Sequence, residues 1–286
     1  MEKKNQFCLY APPLSSIRSY QEMVDYAVSH GIYQLETLNI LDLSTPDLQI
    51  AQELKAYADA KGVTFPCVSV GINLVGEGRE AAIETAKQFA HVANILGSPY
   101  LHHTIALNFS DPQMIADNFQ LFYQQGLAAV REIFDYAAGL GIRTIYEDQG
   151  FLFNGRANFT RFLQDVDRNV GVVADFGNIQ FVDEQVEDFI PPFADRIVHV
   201  HAKDYIVTDG STRPMAEGEY RTRGGNYLQG CLIGEGSVHT ASAFQALQAI
   251  GYHGSVALEG DPIGPDEEAS FCKNLETVNR YIQQYL

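Results

Sequence analysis

Four short apolar runs in the second half of the chain end in residues able to hold a cation or move a proton: Ile145-Tyr146-Glu147-Asp148, Val173-Ala174-Asp175, His199-Val200-His201-Ala202-Lys203 and Ala257-Leu258-Glu259. If each run is a β-strand, neighbouring side chains face opposite sides. Placing Glu147, Asp175, His201 and Glu259 on one face sends Tyr146, Ala174, Val200 and Leu258 to the other, the same answer in every run. Three carboxylates and one imidazole at one rim repel and resist desolvation unless a cation neutralises them. A divalent metal is the simplest neutraliser. Carboxylates with one imidazole suit Mn²⁺, Mg²⁺ or Co²⁺ and are compatible with Zn²⁺. Around this set, His199 is expected to pack below the site, and His102-His103 can turn only one ring inward. Glu36, ending an earlier run, is as compatible with a hydrogen-bonded or solvated role as with a functional one.

The elements that would position these residues alternate along the whole chain. Strand-like runs at 6–10, 33–38, 64–71, 100–107, 143–148, 170–178, 196–204 and 254–260 alternate with helical text. Helices are expected at about 16–30, 47–61, 77–96, from Ser110-Asp111-Pro112 to Gly141, 158–166, 183–190, 240–250 and from Pro265 onward. Eight βα units without a composition break predict an α/β fold, a single (β/α)8 TIM barrel spanning 1–286. An open dinucleotide-binding sheet would need GxGxxG after its first strand, where Tyr10 is instead followed by Ala-Pro-Pro-Leu. The polar, glycine-rich stretch at 205–238 is too long for an ordinary connection and is expected to be a loop covering the barrel mouth.

Composition limits the partners. With 46% hydrophobic residues the 286-residue chain can bury a full core, and 19 Lys+Arg against 36 Asp+Glu give a net charge of −17. That field disfavours nucleic acid and anionic membranes. No spanning run or secretory signal is read from the text, so a cytoplasmic protein is expected, with homo-oligomerisation left open. The scattered cysteines Cys8, Cys67, Cys231 and Cys272 contain no CxxC and read as reduced, buried fillers.

In order and spacing, several of these segments resemble the xylose isomerase-like TIM barrels, the sugar phosphate isomerase/epimerase family. They are Glu147 in IYED, Asp175 and Asn178 in ADFGN, His201 and Lys203 in HAKD, the GEG of LIGEGSVHTASAFQAL, and YHGSVALEGD around Glu259. The resemblance implies that Glu147, Asp175, His201 and Glu259 bind one divalent metal and that Glu147 and Glu259 also move protons. The activity it implies is isomerisation or epimerisation of a small carbohydrate, free or phosphorylated, through an enediolate whose charge the metal stabilises. Substrate contacts are expected from Asn178, Lys203, His103 and Arg221. Asn178 stands where relatives usually carry His, and no Arg follows closely after His201. An inosose dehydratase-type lyase on the same barrel is the alternative. An endonuclease IV-like phosphodiesterase fits less well, because it needs more histidines and a basic groove.

Overall fold

The computed structural model describes residues 6–107, 112–260 and 263–286. Among these the strands are, in chain order, β1 Phe7–Leu9, β2 Val68–Val70, β3 Tyr100–His103, β4 Arg143–Glu147, β5 Gly171–Asp175, β6 Ile197–Ala202, β7 Asp204–Thr208, β8 Tyr220–Arg221, β9 Tyr227–Cys231 and β10 Val256–Leu258. Seven of them form one parallel sheet in the order β1-β10-β6-β5-β4-β3-β2. The expected second strand fills the remaining place through isolated parallel bridges, Leu9 to Leu35 on one side and Gln34 to Thr64 and Thr37 to Val68 on the other. Its amides pair both ways, Glu36 N–H with the Leu9 carbonyl (2.9 Å) and Leu35 N–H with that of Thr64 (3.0 Å). The sheet thereby closes into the eight-stranded TIM barrel.

The shell consists of α1 Tyr20–Ser29, α2 Leu48–Lys61, α3 Arg79–Leu96, α4 Pro112–Asp117, α5 Phe119–Ala138, α6 Arg156–Val166, α7 Val186–Phe189, α8 Thr240–Ala249 and α9 Glu267–Tyr285. Their ends follow local chemistry. Asp47 accepts the Gln49 and Ile50 amides to open α2, and Gly62 closes it in the left-handed region. The long helix expected after Pro112 is two helices: Asn118 breaks it at φ −112°, ψ 13°, and its side-chain amide donates to the Met114 carbonyl (2.9 Å). Ser110 and Asp111, expected to open it, lie outside the described residues. No helix among the described residues is long and apolar enough to cross a membrane.

Two corrections concern expected elements. The 205–238 stretch is not a structureless loop, because β7, β9 and β8 form a three-stranded antiparallel sheet. Asp204 anchors that sheet by accepting from the amides of Tyr205 (2.8 Å), Gly234 (2.9 Å), Gly236 (3.1 Å) and Val238 (3.0 Å). The cysteines are all free, but only Cys8 and Cys67 are buried; Cys231 is half-buried and Cys272 exposed.

The main apolar core lies between the barrel and its helices, and a smaller set fills the barrel itself. Cys67, Ile145 and Val173 form one interior group, and Cys8, Tyr10 and Ala257 another. Toward the carboxyl ends of the strands the interior turns polar, with Glu36, Ser69, His102, His199 and His201 all buried. Buried polar groups at this density are tolerated only when partnered.

Candidate metal centre

Alternation along β4, β5 and β6 and the step beyond β10 bring one ligand atom each from Glu147, Asp175, His201 and Glu259 within 4.8 Å of one another. His201 is the hub. Its Nδ1 lies 3.1 Å from Glu147 Oε2, 3.1 Å from Glu259 Oε2 and 3.8 Å from Asp175 Oδ2. Tyr10 stacks on its ring, with centroids 4.9 Å apart and planes 16° off parallel. The other nitrogen, Nε2–H, donates to Glu36 Oε1 (3.2 Å). That bond fixes the tautomer and leaves the Nδ1 lone pair for a cation at the carboxylates.

Glu36 is itself held from three sides. His199 Nε2–H donates to its Oε2 (2.6 Å), and the Ser69 hydroxyl donates to its Oε1. Because Ser69 gives its one proton to Glu36, its oxygen accepts from His102 Nδ1–H (2.9 Å). This leaves His102 Nε2 as a buried acceptor without a donor, 3.7 Å from Glu147 Oε1. Burial alone would raise the Glu36 pKa, but the His201 and His199 imidazoles outweigh it and hold the carboxyl well below the usual carboxylate range.

Without a cation the four-residue cluster is incompletely satisfied. Asp175 Oδ2 lies 2.9 Å from Lys203 Nζ and Glu259 Oε2 3.1 Å from His201 Nδ1, yet neither contact has hydrogen-bond geometry, and both buried oxygens lack a donor. Burial, with Glu259 and Glu147 nearby, pushes Asp175 up to about 8 even though Lys203 pulls the other way. Burial would lower the His201 pKa, but Glu36, Glu147 and Glu259 raise it well above an ordinary imidazole. Both shifts favour protons at a cluster whose carboxylates outnumber its cations. Orphaned carboxylate oxygens, a tautomer-fixed imidazole and a hard-ligand set fit a divalent cation.

Lys203 spans the mouth, 2.9 Å from Asp175 Oδ2 and 3.0 Å from Glu259 Oε1, so its charge serves two of the clustered carboxylates. Gly177 makes room for it, since a Cβ there would stand 2.7 Å from Lys203 Cγ and from the Tyr205 ring. The two amides of the turn that follows, Gly177 N–H (2.8 Å) and Asn178 N–H (2.7 Å), donate to Asp175 Oδ1 and leave Oδ2 aimed at the cluster. Asn178 is buried, and its side-chain nitrogen has no partner. Above the cluster a cavity of about 420 Å³ is lined by Tyr10, Asn178, Lys203, Tyr205, Tyr220 and Glu259 among others.

Two expected substrate contacts lie elsewhere. His102, rather than His103, is the inward ring; His103 Nε2 accepts from the Tyr146 hydroxyl (2.9 Å), on the side where Tyr146 packs on Phe162. Arg221 lines a second, larger hollow of about 640 Å³ with Arg223, Phe119 and Phe151, and none of the four clustered residues lines it. The reason is strand alternation: Tyr220 lines the cavity over the ligands, so its neighbour on β8 faces away. Arg213 pairs with Glu219, its Nη1 2.8 Å from Oε2. The residues that sequence reasoning left unassigned are Ser69 and the supporting pair Glu36 and His102. The place of Glu36 at the end of an earlier run and the His102-His103 pair were the signals available for two of them.

Comparison with known proteins gives a consistent placement. A family model described as xylose isomerase-like TIM barrel matches residues 24–276. The inosose dehydratase of Lactiplantibacillus plantarum is 23% identical over 228 residues, 74% of this chain and 73% of that protein. A xylose isomerase domain protein from Planctomyces limnophilus superposes with a TM-score of 0.77 at 18% identity, covering 100% of this chain and 99% of the other. A D-allulose 3-epimerase from a Methylomonas species, in complex with D-allulose, gives 0.71 at 19% identity over 99% and 98%.

Proposed function

The chain belongs to the xylose isomerase-like TIM barrel family, and from that premise we propose that it is a divalent-metal-dependent isomerase or epimerase of a small carbohydrate. The observation that carries the reading is the convergence of Glu147, Asp175, His201 and Glu259, with two orphaned carboxylate oxygens between them. These four residues would hold the cation, with Mn²⁺, Mg²⁺ or Co²⁺ suited to the donor set and Zn²⁺ compatible. A bound cation supplies Lewis-acid polarisation of a substrate carbonyl and charge neutralisation.

The protein's own groups divide the remaining work. Glu147 ends β4 and Glu259 follows β10, so they approach the cluster from different strands of the ring. One takes the proton from the carbon beside a carbonyl, and the other delivers a proton to that carbon or its neighbour. Lys203 keeps Glu259 turned toward the cluster. Asn178, which lines the cavity, offers an unpartnered amide to substrate hydroxyls. Three carboxylates against Lys203 and a divalent cation leave no net positive charge, and Arg221 faces the other hollow. Both facts favour a substrate without phosphate.

A second reading, dehydration after the same proton abstraction, is favoured by the curated inosose dehydratase relative. One experiment tests both. Metal-loaded protein is incubated with free ketohexoses and with inososes in D₂O and followed by NMR. Deuterium entering the carbon beside the carbonyl, with recovery of a sugar epimer or isomer, is the expected result. Loss of water from an inosose establishes the second reading, and no exchange into either substrate class with any of the named metals overturns both.

A further inference from the structure

On the outer shell, away from the barrel mouth, a second group of ligating side chains joins the first helix to the last. His30 caps the end of α1, and Glu268 and Cys272 lie four residues apart on one face of α9. One ligand atom from each lies within 4.8 Å of the other two. The His30 Nε2 to Glu268 Oε1 distance is 3.1 Å, and Cys272 Sγ lies 3.8 Å from the same oxygen. Tetrahedral zinc sites, with bonds of about 2.0–2.3 Å to N, O and S, set ligand atoms roughly 3.3–3.8 Å apart. Two of the three spacings lie within a few tenths of an ångström of that range, and the third pair is within 4.8 Å.

What distinguishes this group from an ordinary surface ion pair is the layer behind it, which comes largely from one residue. The Tyr26 carbonyl lies 3.0 Å from His30 Nδ1, so that nitrogen carries the hydrogen and Nε2 turns its lone pair toward Glu268. The Tyr26 hydroxyl donates to Glu268 Oε2 (2.8 Å), leaving Oε1 for the side where Nε2 and Sγ meet. A histidine that gives its other N–H to a backbone carbonyl, beside a carboxylate held by a hydroxyl, is the supporting arrangement of metal ligands. The His30 ring is fixed further by Tyr26 (4.3 Å between centroids) and by Phe271 edge-on (5.4 Å). Cys272 is exposed, so an ion can reach the sulfur from solvent.

We propose that His30, Glu268 and Cys272 form a second cation site, selective for a thiophilic divalent ion of the zinc class and completed by water. The thiol gives up its proton to solvent as the sulfur binds, and no oxidation or reduction is involved. Selectivity follows from the ligands, since a thiolate favours zinc-like ions over the Mg²⁺ or Mn²⁺ that suit the carboxylate centre. The bound ion would clip α1 to α9 and so join the first and last βα units of the barrel.

Cobalt tests this independently of the central site, whose ligands include no sulfur. Metal-free protein is titrated with Co²⁺ while its near-ultraviolet absorption is followed, for wild type, Cys272→Ser and His30→Ala. The expected result is a sulfur-to-cobalt charge-transfer band whose final amplitude corresponds to one thiolate-bound Co²⁺ per chain in wild type, over and above any cobalt taken by the carboxylate centre, that is lost in Cys272→Ser and is weakened in His30→Ala. Zn²⁺ should abolish the band in wild type by displacement, whereas Mg²⁺ in excess should leave it. A wild-type protein without the band, or a Cys272→Ser variant that keeps it undiminished, overturns the proposal whatever the carboxylate centre does.

Discussion

Glu36→Gln isolates the part of the centre that touches no substrate. The carboxylate accepts from His199 through Oε2, and from His201 and Ser69 through Oε1. An amide of the same shape retains one oxygen. Turning its nitrogen toward Oε1's partners would oppose two donors, so the oxygen stays with His201 and Ser69 and the nitrogen faces His199. His199 can answer by moving its proton to Nδ1, which spares the fold. His201 then keeps its tautomer but loses the charge on its acceptor. Charge-assisted hydrogen bonds are about twice as strong as neutral ones, and those to charged groups contribute about 1.5–3 kcal/mol, so the change costs His201 about 1–1.5 kcal/mol. A loss of that size lowers metal affinity roughly tenfold, at the lower end of the roughly 10–100-fold expected for a supporting residue. Free Mn²⁺ measured by electron paramagnetic resonance during titration reads the affinity directly, with circular dichroism as the check on folding. An affinity within twofold of wild type, in a folded variant, would refute the assignment of Glu36 as the residue that orients His201.

Glu147→Gln and Glu259→Gln each keep an oxygen for the cation but no base at neutral pH, and either should lower turnover about 10²–10⁴-fold with the fold intact, read by initial rates. The metal-free protein should lose stability as pH rises from about 7 to 8, above the range in which His102 and His103, held low by burial, act in the opposite direction. Asp175 at about 8 and His201 raised both hold protons in the fold that the unfolded chain has released, so their contribution is present at low pH and lost as pH climbs. Thermal melts with chelator should show that slope and melts with Mn²⁺ should flatten it; a metal-free melting temperature that climbs over this range would contradict it. Gly177→Ala puts a methyl 2.7 Å from Lys203 and Tyr205, costs about 1–3 kcal/mol of stability in denaturant titrations, and should depress turnover by displacing Lys203 from Glu259. Free ketohexoses should bind metal-loaded protein more tightly than their phosphates in calorimetric titration, and the reverse order would contradict the charge argument.

The convergence of Glu147, Asp175 and His201 was legible because their strands are long enough to alternate. β4, β5 and β6 carry five or six residues each, and a period of two assigns Glu147, Asp175 and His201 to one face without reference to anything distant. The same rule ran out at His102-His103. Adjacent residues must oppose, but which one turns inward is decided by Ser69 on the neighbouring strand, 33 residues away in sequence. Glu36 was obscured more deeply, for its partners His199 and His201 lie 163 and 165 residues along the chain. The small sheet of β7, β8 and β9 escaped because β8 is two residues long and only pairing reveals it.

The layering explains why so much charge can sit inside one barrel. At the bottom the interior is narrow and apolar, with Cys67, Ile145 and Val173 leaving no unpaired polar atom to satisfy. One layer higher Glu36 accepts from two imidazoles and a hydroxyl, and these three donors make an ionised carboxylate tolerable without water. At the mouth the balance reverses, because three carboxylates meet one imidazole and one ammonium. His201 belongs to both layers, tied to the carboxylate below through Nε2 and facing the ligands above through Nδ1. A cation at the mouth would take the place that a proton on Nδ1 holds in its absence, leaving the Glu36 layer unchanged. The supporting network would therefore be in place before a cation bound, and binding would need only proton release from His201 and Asp175 rather than rearrangement of the barrel.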